Sequence, residues 1–185
     1  MIALNKIFGR LGNQMFQYAY IYAQMKRGQI NDIYLQDPFY FEEYEEDIKS
    51  LYKDGIGEPL DMVAIHVRRG DYVNNGFYVD LMKTPYYRDA MAEFPKEDFL
   101  VFSDDIEWCK QQSIFKGCEF STSKTELDDL NLMASCKGHI IANSSFSWWG
   151  AFISPYTQKV VAPNISKWYN DSIERTVCPY KWIRL

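Results

Sequence analysis

The stretch that decides the fold is Met62-Val63-Ala64-Ile65-His66-Val67-Arg68-Arg69-Gly70-Asp71-Tyr72. Its first six residues are apolar apart from His66, and a run that is apolar on both faces is typical of a buried strand in a parallel sheet. Charged residues and a glycine follow at once, which predicts a polar turn at the end of the strand. Ligands of open α/β sheets bind beyond the carboxyl ends of the strands, so we expect this turn to belong to a binding site.

On both sides of this stretch, short apolar runs alternate with segments of helical periodicity. We expect strands at 2–8, 33–35, 62–67, 99–102, 118–120, 139–142 and 159–162, and helices at 13–26, 41–54, 85–94, 105–112, 125–136 and 146–152. This alternation predicts an α/β fold with a parallel sheet and helices on both faces. Gly55, Gly57 and Pro59 form a linker, so we expect a boundary between residues 1–58 and residues 59–185.

The composition limits the class of protein. Of the 185 residues, 47% are hydrophobic and 24% are charged, which is typical of a folded globular chain. The net charge is -5, so a non-specific nucleic-acid binder is not expected. The four cysteines lack zinc-ligand spacing, and we find neither a signal peptide nor an apolar run of membrane-spanning length. We therefore expect reduced thiols and a cytoplasmic protein.

Polar side chains follow four of the predicted strands. These groups are Gly9–Gln14, Arg68–Tyr72, Ser103–Asp105 and Asn143–Ser147. Two adjacent arginines beside a histidine on a buried strand call for an anionic partner, and the planar guanidinium suits phosphate oxygens. Adjacent strand residues point to opposite faces, so one arginine would serve a ligand and the other a structural carboxylate such as Asp71.

Several of these side chains have two interpretations. Ser144, Ser145 and Ser147 open a predicted helix, where they either bind phosphate or serve as ordinary caps. Asp104 and Asp105 either cap a helix or accept hydrogen bonds from guanine. His139 is expected in the core, as is one of Trp148 and Trp149. The chain contains no Asp-x-Asp motif, so we expect no metal.

Four ordered motifs together resemble those of the α-1,2-fucosyltransferases, glycosyltransferase family 11. The motifs are Gly9–Ala19, His66–Tyr72, Phe102–Asp105 with Trp108-Cys109 close behind, and Asn143–Ala151. The resemblance implies a GT-B-like fold of two Rossmann-like halves, with the GDP-sugar in the domain of residues 59–185. Family members have a longer segment between the first two motifs, so the acceptor-side half, residues 1–58, would be reduced here.

The resemblance also implies a reaction. Fucose would pass with inversion, without a metal, from GDP-fucose to the 2-hydroxyl of a terminal galactose on a glycan or lipid-linked oligosaccharide. By motif match, the catalytic residues would be His66, Arg68 and Asp71. The donor site would comprise Arg10, Asn13, Arg69, Asp104, Asp105, Ser144, Ser145 and Phe146. Arg68 and His66 would face the diphosphate, and Asp71 and Asp80 are both candidates for the general base.

Two alternatives remain open at this point. The chain could be a catalytically degenerate module that binds a GDP-sugar without turnover, or an interaction protein whose charged strand ends pair with one another. Among donors, GDP-mannose is the competitor, since it shares the guanosine diphosphate group. An acceptor built at a membrane would add peripheral association with the inner face of that membrane.

Overall fold

The computed structural model describes residues 9–27, 38–164, 168, 178–179 and 181–185. Its helices are α1 (Leu11–Arg27), α2 (Glu45–Leu51), α3 (Tyr86–Ala92), α4 (Ile106–Lys110), α5 (Glu126–Ala134) and α6 (Ser145–Ile153). Its strands are β1 (Leu60–Val67), β2 (Phe99–Ser103), β3 (Glu119–Phe120), β4 (Cys136–Ile140), β5 (Lys159–Ala162) and β6 (Ile183–Arg184). The strands predicted at 2–8 and 33–35 lie outside the described residues.

The six strands form one sheet in the order β3-β2-β1-β4-β5-β6, and every pair of neighbours is parallel. The predicted α/β fold with a parallel sheet is therefore confirmed. The chain first moves outward from β1 to β3 and then returns to the other side of β1 to form β4. This reversal leaves a crevice beyond the carboxyl ends of β1 and β4, where doubly wound sheets of this strand order bind their ligands.

Helices cover both faces of the sheet, as the sequence predicts. Val63, Ile65 and Val67 of β1 share a hydrophobic cluster with the tyrosines of α3. Ala64 points to the opposite face and packs in a cluster with Met133 of α5. This alternation follows from the two-residue period of a strand, and it explains why β1 carries apolar side chains on both faces.

Helix α1 packs against α6 through aromatic side chains. The ring of Phe16 lies 4.5 Å from that of Trp148 and 4.9 Å from that of Trp149, measured between centroids. Both tryptophans are fully buried, so the core contains the pair rather than one of them. Phe41 and Ile48, which precede the predicted boundary at residues 55–59, belong to the same cluster.

Three elements differ from the sequence prediction. The acidic segment 41–54 is not one helix, because α2 lies between 3-10 turns at Pro38–Tyr44 and Lys53–Gly55. Strand β4 begins at Cys136, in a segment expected to end a helix, because Leu60 of β1 pairs with Cys136 there. Strand β6 has only two residues, too few to show a period. Among the described helices, none is long and apolar enough to cross a bilayer.

Candidate functional site

A cleft of about 410 Å³ lies beyond the carboxyl ends of β1 and β4. Nine of the eleven site residues predicted from the sequence line it: Arg10, Asn13, His66, Arg68, Asp71, Asp104, Ser144, Ser145 and Phe146. They come from four separate parts of the chain, each at the end of a strand or the start of a helix. The cleft is therefore the candidate functional site.

Arg68 is fixed in the cleft by two carboxylates. Its Nη1 lies 2.7 Å from Asp104 Oδ2, and its Nη2 donates to Asp71 Oδ1. The guanidinium carbon also lies 5.2 Å from the ring centroid of Tyr72. Because the Arg68 side chain is only 10% exposed, these contacts hold its planar group in one orientation at the edge of the cleft.

Arg69 has a structural environment and does not line the cleft. Its guanidinium carbon lies 3.6 Å from the ring centroid of Trp108, and Nη1 forms an ion pair with Asp80 Oδ2 at 3.8 Å. The two arginines therefore have different surroundings, and the carboxylate that pairs with Arg69 is Asp80 rather than the expected Asp71. Asp71 pairs instead with Arg68, the arginine in the cleft.

Asp104 and Asp105 also have different surroundings. Asp105 does not line the cleft; it caps α4, its side chain accepting from the Trp108 N–H at 3.2 Å. Asp104 lines the cleft and accepts from the Arg69 N–H at 2.8 Å. A Cβ on Gly70 would lie 2.4 Å from Asp104 Oδ2, and the φ of Gly70 is +30°, so a side chain at this position would displace the carboxylate.

His66 presents a neutral imidazole to the cleft. Burial, reinforced by the charge of Arg68, lowers its pKa to about 3, so the ring carries no charge at neutral pH. Its main-chain oxygen accepts from the Tyr87 hydroxyl at 2.9 Å, and its ring lies 5.4 Å from that of Phe146. Nδ1 is buried without a hydrogen-bond partner among the described residues.

Helices α1 and α6 begin side by side at the cleft. A Cβ on Gly12 would lie 2.5 Å from the Phe146 nitrogen, so only glycine permits this approach. The Ser145 hydroxyl donates to Asn13 Oδ1 at 2.7 Å. The Ser144 side chain accepts no capping bond from the first turn of α6, contrary to the ordinary-cap interpretation. Helix starts offer free N–H groups and a positive dipole end, both of which favour anions.

The start of α5, a helix expected at 125–136, also lines the cleft, and this position of the helix start was not predicted. Glu126 forms an ion pair with Arg10, with Nη2 2.7 Å from Oε1, and this contact raises the pKa of the arginine. Lys124 and Asp129 also line the cleft. The polar run Ser121–Thr125 directly follows strand β3, so the rule used for the other four groups would have identified it.

Other side chains singled out in the sequence belong to the interior. His139 is fully buried, its Nε2 lies 2.8 Å from Thr157 Oγ1, and burial lowers its pKa to about 3. The four cysteines are free thiols. Among the described residues, no three histidine, cysteine, aspartate or glutamate side chains form a cluster that could hold a metal ion.

A larger cleft of about 840 Å³ lies between α2, the end of α6 and the start of β5. It contains none of the predicted site residues. Two of the four lysines that line it, Lys49 and Lys181, form ion pairs with Glu45 at 2.5 and 3.7 Å. The nine predicted site residues that line a cleft therefore all lie in the one beyond β1 and β4.

Comparison with known proteins agrees with the motifs. The chain is 36% identical over 180 residues to an alpha-1,2-colitosyltransferase of Escherichia coli, a match that covers 81% of this chain and 60% of that protein. It is 30% identical over 146 residues to the O-antigen biosynthesis glycosyltransferase WbnK of Escherichia coli, covering 73% of this chain and 48% of the relative. The human galactoside alpha-(1,2)-fucosyltransferase 1 is 29% identical over 111 residues, covering 52% of this chain and 30% of the human protein.

The chain thus spans about half to three fifths of the length of the two bacterial relatives. No solved structure matches it significantly. The model of the family described as "Glycosyl transferase family 11" matches residues 26–184, which include β1, β4 and most of the cleft. From this match and the similarity to the colitosyltransferase, we conclude that the chain belongs to glycosyl transferase family 11.

Proposed function

We propose that the chain transfers a 6-deoxy sugar, with inversion, from a GDP-linked donor to the 2-hydroxyl of a galactoside. The observation that carries this proposal is the convergence of nine motif residues on one cleft at the switch point of the sheet. Family membership and the names of the relatives, which include α-1,2-fucosyl- and colitosyltransferases, support the reaction type.

The donor diphosphate would bind between Arg68 and the start of α6. When the bond between the sugar and the diphosphate breaks, negative charge develops on the leaving phosphate. Arg68 stabilises that charge from an orientation already fixed by Asp104, and the first-turn N–H groups of α6 add hydrogen-bond donors. The group that stabilises the leaving charge thus needs little reorganisation during the reaction.

The base of the donor would lie against Phe146 and His66, whose rings line the same wall. The neutral His66 ring can exchange hydrogen bonds with the nucleotide without adding charge, and Asp104 can accept from the guanine N–H groups. Asp71 is the general base in this proposal, because its side chain is 63% exposed and lines the cleft. Asp80 does not line the cleft and caps the turn Leu81–Lys83 instead.

The six-stranded sheet would correspond to the donor half of a GT-B-like architecture. Its strand order and the position of the cleft support that assignment. Arg10 and Asn13, from the start of α1, would contact the transferred sugar or the acceptor. The acceptor would be a galactose-terminated glycan or a lipid-linked oligosaccharide.

The transferred sugar is either fucose or colitose. Similarity to the colitosyltransferase favours colitose, and similarity to the human enzyme favours fucose. The two sugars differ only in the 3-hydroxyl, which colitose lacks, so the same diphosphate and guanine contacts serve both. GDP-mannose offers the same nucleotide group with a different sugar.

The test is calorimetric titration with GDP-fucose, GDP-colitose and GDP-mannose, each in the presence of Mg²⁺ and again in the presence of EDTA. We expect binding by the native protein and at least a tenfold loss in Arg68→Lys, which keeps the charge but loses the two-pronged hydrogen-bonding geometry. Arg88→Ala is the matched control, because Arg88 lies on α3 with a 73% exposed side chain and does not line the cleft. We expect that variant to bind normally.

The outcomes separate the alternatives. If the native protein binds none of the donors under either condition, the donor site does not exist, and the internally paired strand ends are structural. If it binds a donor but releases no sugar to a galactoside, the chain is a binding module without turnover. Loss of binding in EDTA would show that a metal is required.

A further inference from the structure

Tyr72 and Tyr78 form a stacked pair at the edge of the cleft. Their ring centroids are 3.7 Å apart and their planes differ by 6°. The ring of Phe77 meets that of Tyr78 at 81°, with 5.1 Å between centroids. The three rings thus comprise one stacked pair and one ring perpendicular to it, which we call the aromatic corner.

A series of turns holds the aromatic corner in place. The Asn75 N–H donates to Tyr72 O, and the Tyr78 N–H donates to Asn75 O, both at 3.3 Å. Asn75 Oδ1 accepts from the Phe77 N–H at 3.0 Å, and its Nδ2 donates to Asp71 O at 3.2 Å. Beyond the corner, Asn143 at the end of β4 donates to Val79 O at 2.9 Å. The rings are therefore oriented without any ligand.

The aromatic corner does not belong to the hydrophobic core. None of its three residues is a member of a hydrophobic cluster in the described part of the chain. Phe77 is 47% exposed, while Tyr72 and Tyr78 line the cleft. Oriented aromatic surface next to a polar cleft is typical of ligand recognition, because burying it in a complex removes apolar area from water.

We propose that the aromatic corner binds a pyranose ring. The C–H groups on one face of a pyranose pack against an aromatic ring, while its hydroxyls reach outward to polar groups. The exposed Asp71 carboxylate, one residue from Tyr72, supplies an acceptor for those hydroxyls. The inference rests on the proposed function and identifies the part of the cleft that would contact the sugar.

The position of Arg68 favours a sugar over the nucleotide base. Arg68 contacts Tyr72, and its charge acts on the buried ring of His66, so it lies near both aromatic surfaces of the cleft. With the diphosphate at Arg68, the base occupies one surface and the sugar the other. Asp104 lines the same cleft as Phe146 and His66, and its carboxylate can accept from the guanine N–H groups. The proposed function places the base against those two rings, which leaves the aromatic corner for the sugar.

The experiment compares ligands that differ only in the sugar. We measure binding of GDP and GDP-fucose by calorimetry, and binding of a methyl β-galactoside, with and without GDP, by saturation-transfer NMR. Three variants are compared. Tyr78→Ala removes one ring of the stacked pair, Phe77→Ala removes the more exposed perpendicular ring, and Tyr78→Phe keeps a ring stacked on Tyr72. We expect Tyr78→Ala to bind GDP within about twofold of the native protein and to bind a sugar-containing ligand about tenfold more weakly. Tyr78→Phe should retain both affinities.

The source of the pyranose follows from which ligand is weakened. A loss for GDP-fucose alone identifies the donor sugar, and a loss for the galactoside alone identifies the acceptor. Equal losses for GDP and GDP-fucose would overturn the proposal in favour of base binding, and unchanged affinities in both alanine variants would also overturn it. If the native protein binds no nucleotide, the proposed function fails; galactoside binding that Tyr78→Ala abolishes would still establish the corner as a sugar site.

Discussion

At the residue scale, the two histidines make stability depend on pH. His66 and His139 are buried, and burial lowers the pKa of each to about 3. In the unfolded chain a histidine has a pKa of about 6.5. Between these values the unfolded state binds a proton that the folded state excludes, so acid favours unfolding. The stabilising effect of the neutral rings is complete above pH ~6.5 and decreases as the pH falls toward ~3.

We therefore expect the free energy of unfolding to decrease by up to about 1.4 kcal/mol per pH unit for each histidine below pH ~6. Urea unfolding at pH 7.5, 5.5 and 4.5 measures this decrease. His139→Gln removes one titrating group, can retain the bond to Thr157, and lies outside the cleft, so it should reduce the slope by about half. A free energy that stays constant from pH 7.5 to 4.5 would contradict the pKa values of both rings.

The surroundings of a single residue could be predicted where a general rule of strand or helix geometry applies. They could not be predicted where contacts between distant parts of the chain determine them. Strand alternation predicted different surroundings for Arg68 and Arg69, although both lie just beyond β1, which ends at Val67. Which arginine meets Asp71 depends on the turn Gly70–Tyr72, which brings that carboxylate to Arg68. Tyr78 reaches the cleft through the folding of a loop and has no local sequence signal, whereas the start of α5 with Glu126 directly follows the polar run after β3.

At the element scale, the close approach of α1 and α6 shapes one wall of the cleft. Gly12→Ala would place a Cβ 2.5 Å from the Phe146 nitrogen and from the Ser145 carbonyl carbon, both main-chain atoms that cannot rotate away. We expect the two helices to separate, with a loss of about 1–3 kcal/mol in unfolding free energy and weaker nucleotide binding. Thermal unfolding and calorimetric titration with GDP measure the two effects.

Gly57→Ala is the matched control for this contact. A Cβ there would lie 3.5 Å from Ser135 Oγ, an ordinary van der Waals distance. We expect this variant to unfold and bind as the native protein does. If Gly12→Ala also behaves as the native protein does, the two helix starts do not pack as closely as the structure shows.

Most elements were predicted, including the two-residue β3, whereas β6 and the first residues of β4 were not. Strands β1, β2 and β5 carry apolar runs that leave no alternative to a buried strand, and α1 and α6 have helical spacing throughout. The first residues of β4 include Lys137 and Gly138, which a sequence pattern assigns to a helix end. They form a strand because β1 supplies a partner, and only the assembled sheet contains that information.

At the scale of the whole molecule, the segments on either side of residues 55–59 share one core. Phe16 and Ile48 from the first segment belong to the same cluster as Trp148, Trp149 and the other buried tryptophans, Trp168 and Trp182. Without the first segment, this cluster would expose a large aromatic surface to water, at a cost of roughly 25 cal/mol per Å². We therefore expect the segments before and after the linker to unfold together rather than independently.

We expect the chain to unfold in a single cooperative transition. Four of the five tryptophans lie in the shared cluster, so tryptophan fluorescence reports on the contact between the segments. Far-ultraviolet circular dichroism reports on the helices and strands as a whole. In a urea titration the two signals should give the same midpoint and the same slope, since a common core couples both segments. A fluorescence transition at clearly lower urea would instead mean that α1 and α2 detach first. Residues 1–58 would then be a separate unfolding unit, and the cleft would lose the wall formed by Arg10 and Asn13 before the sheet unfolds.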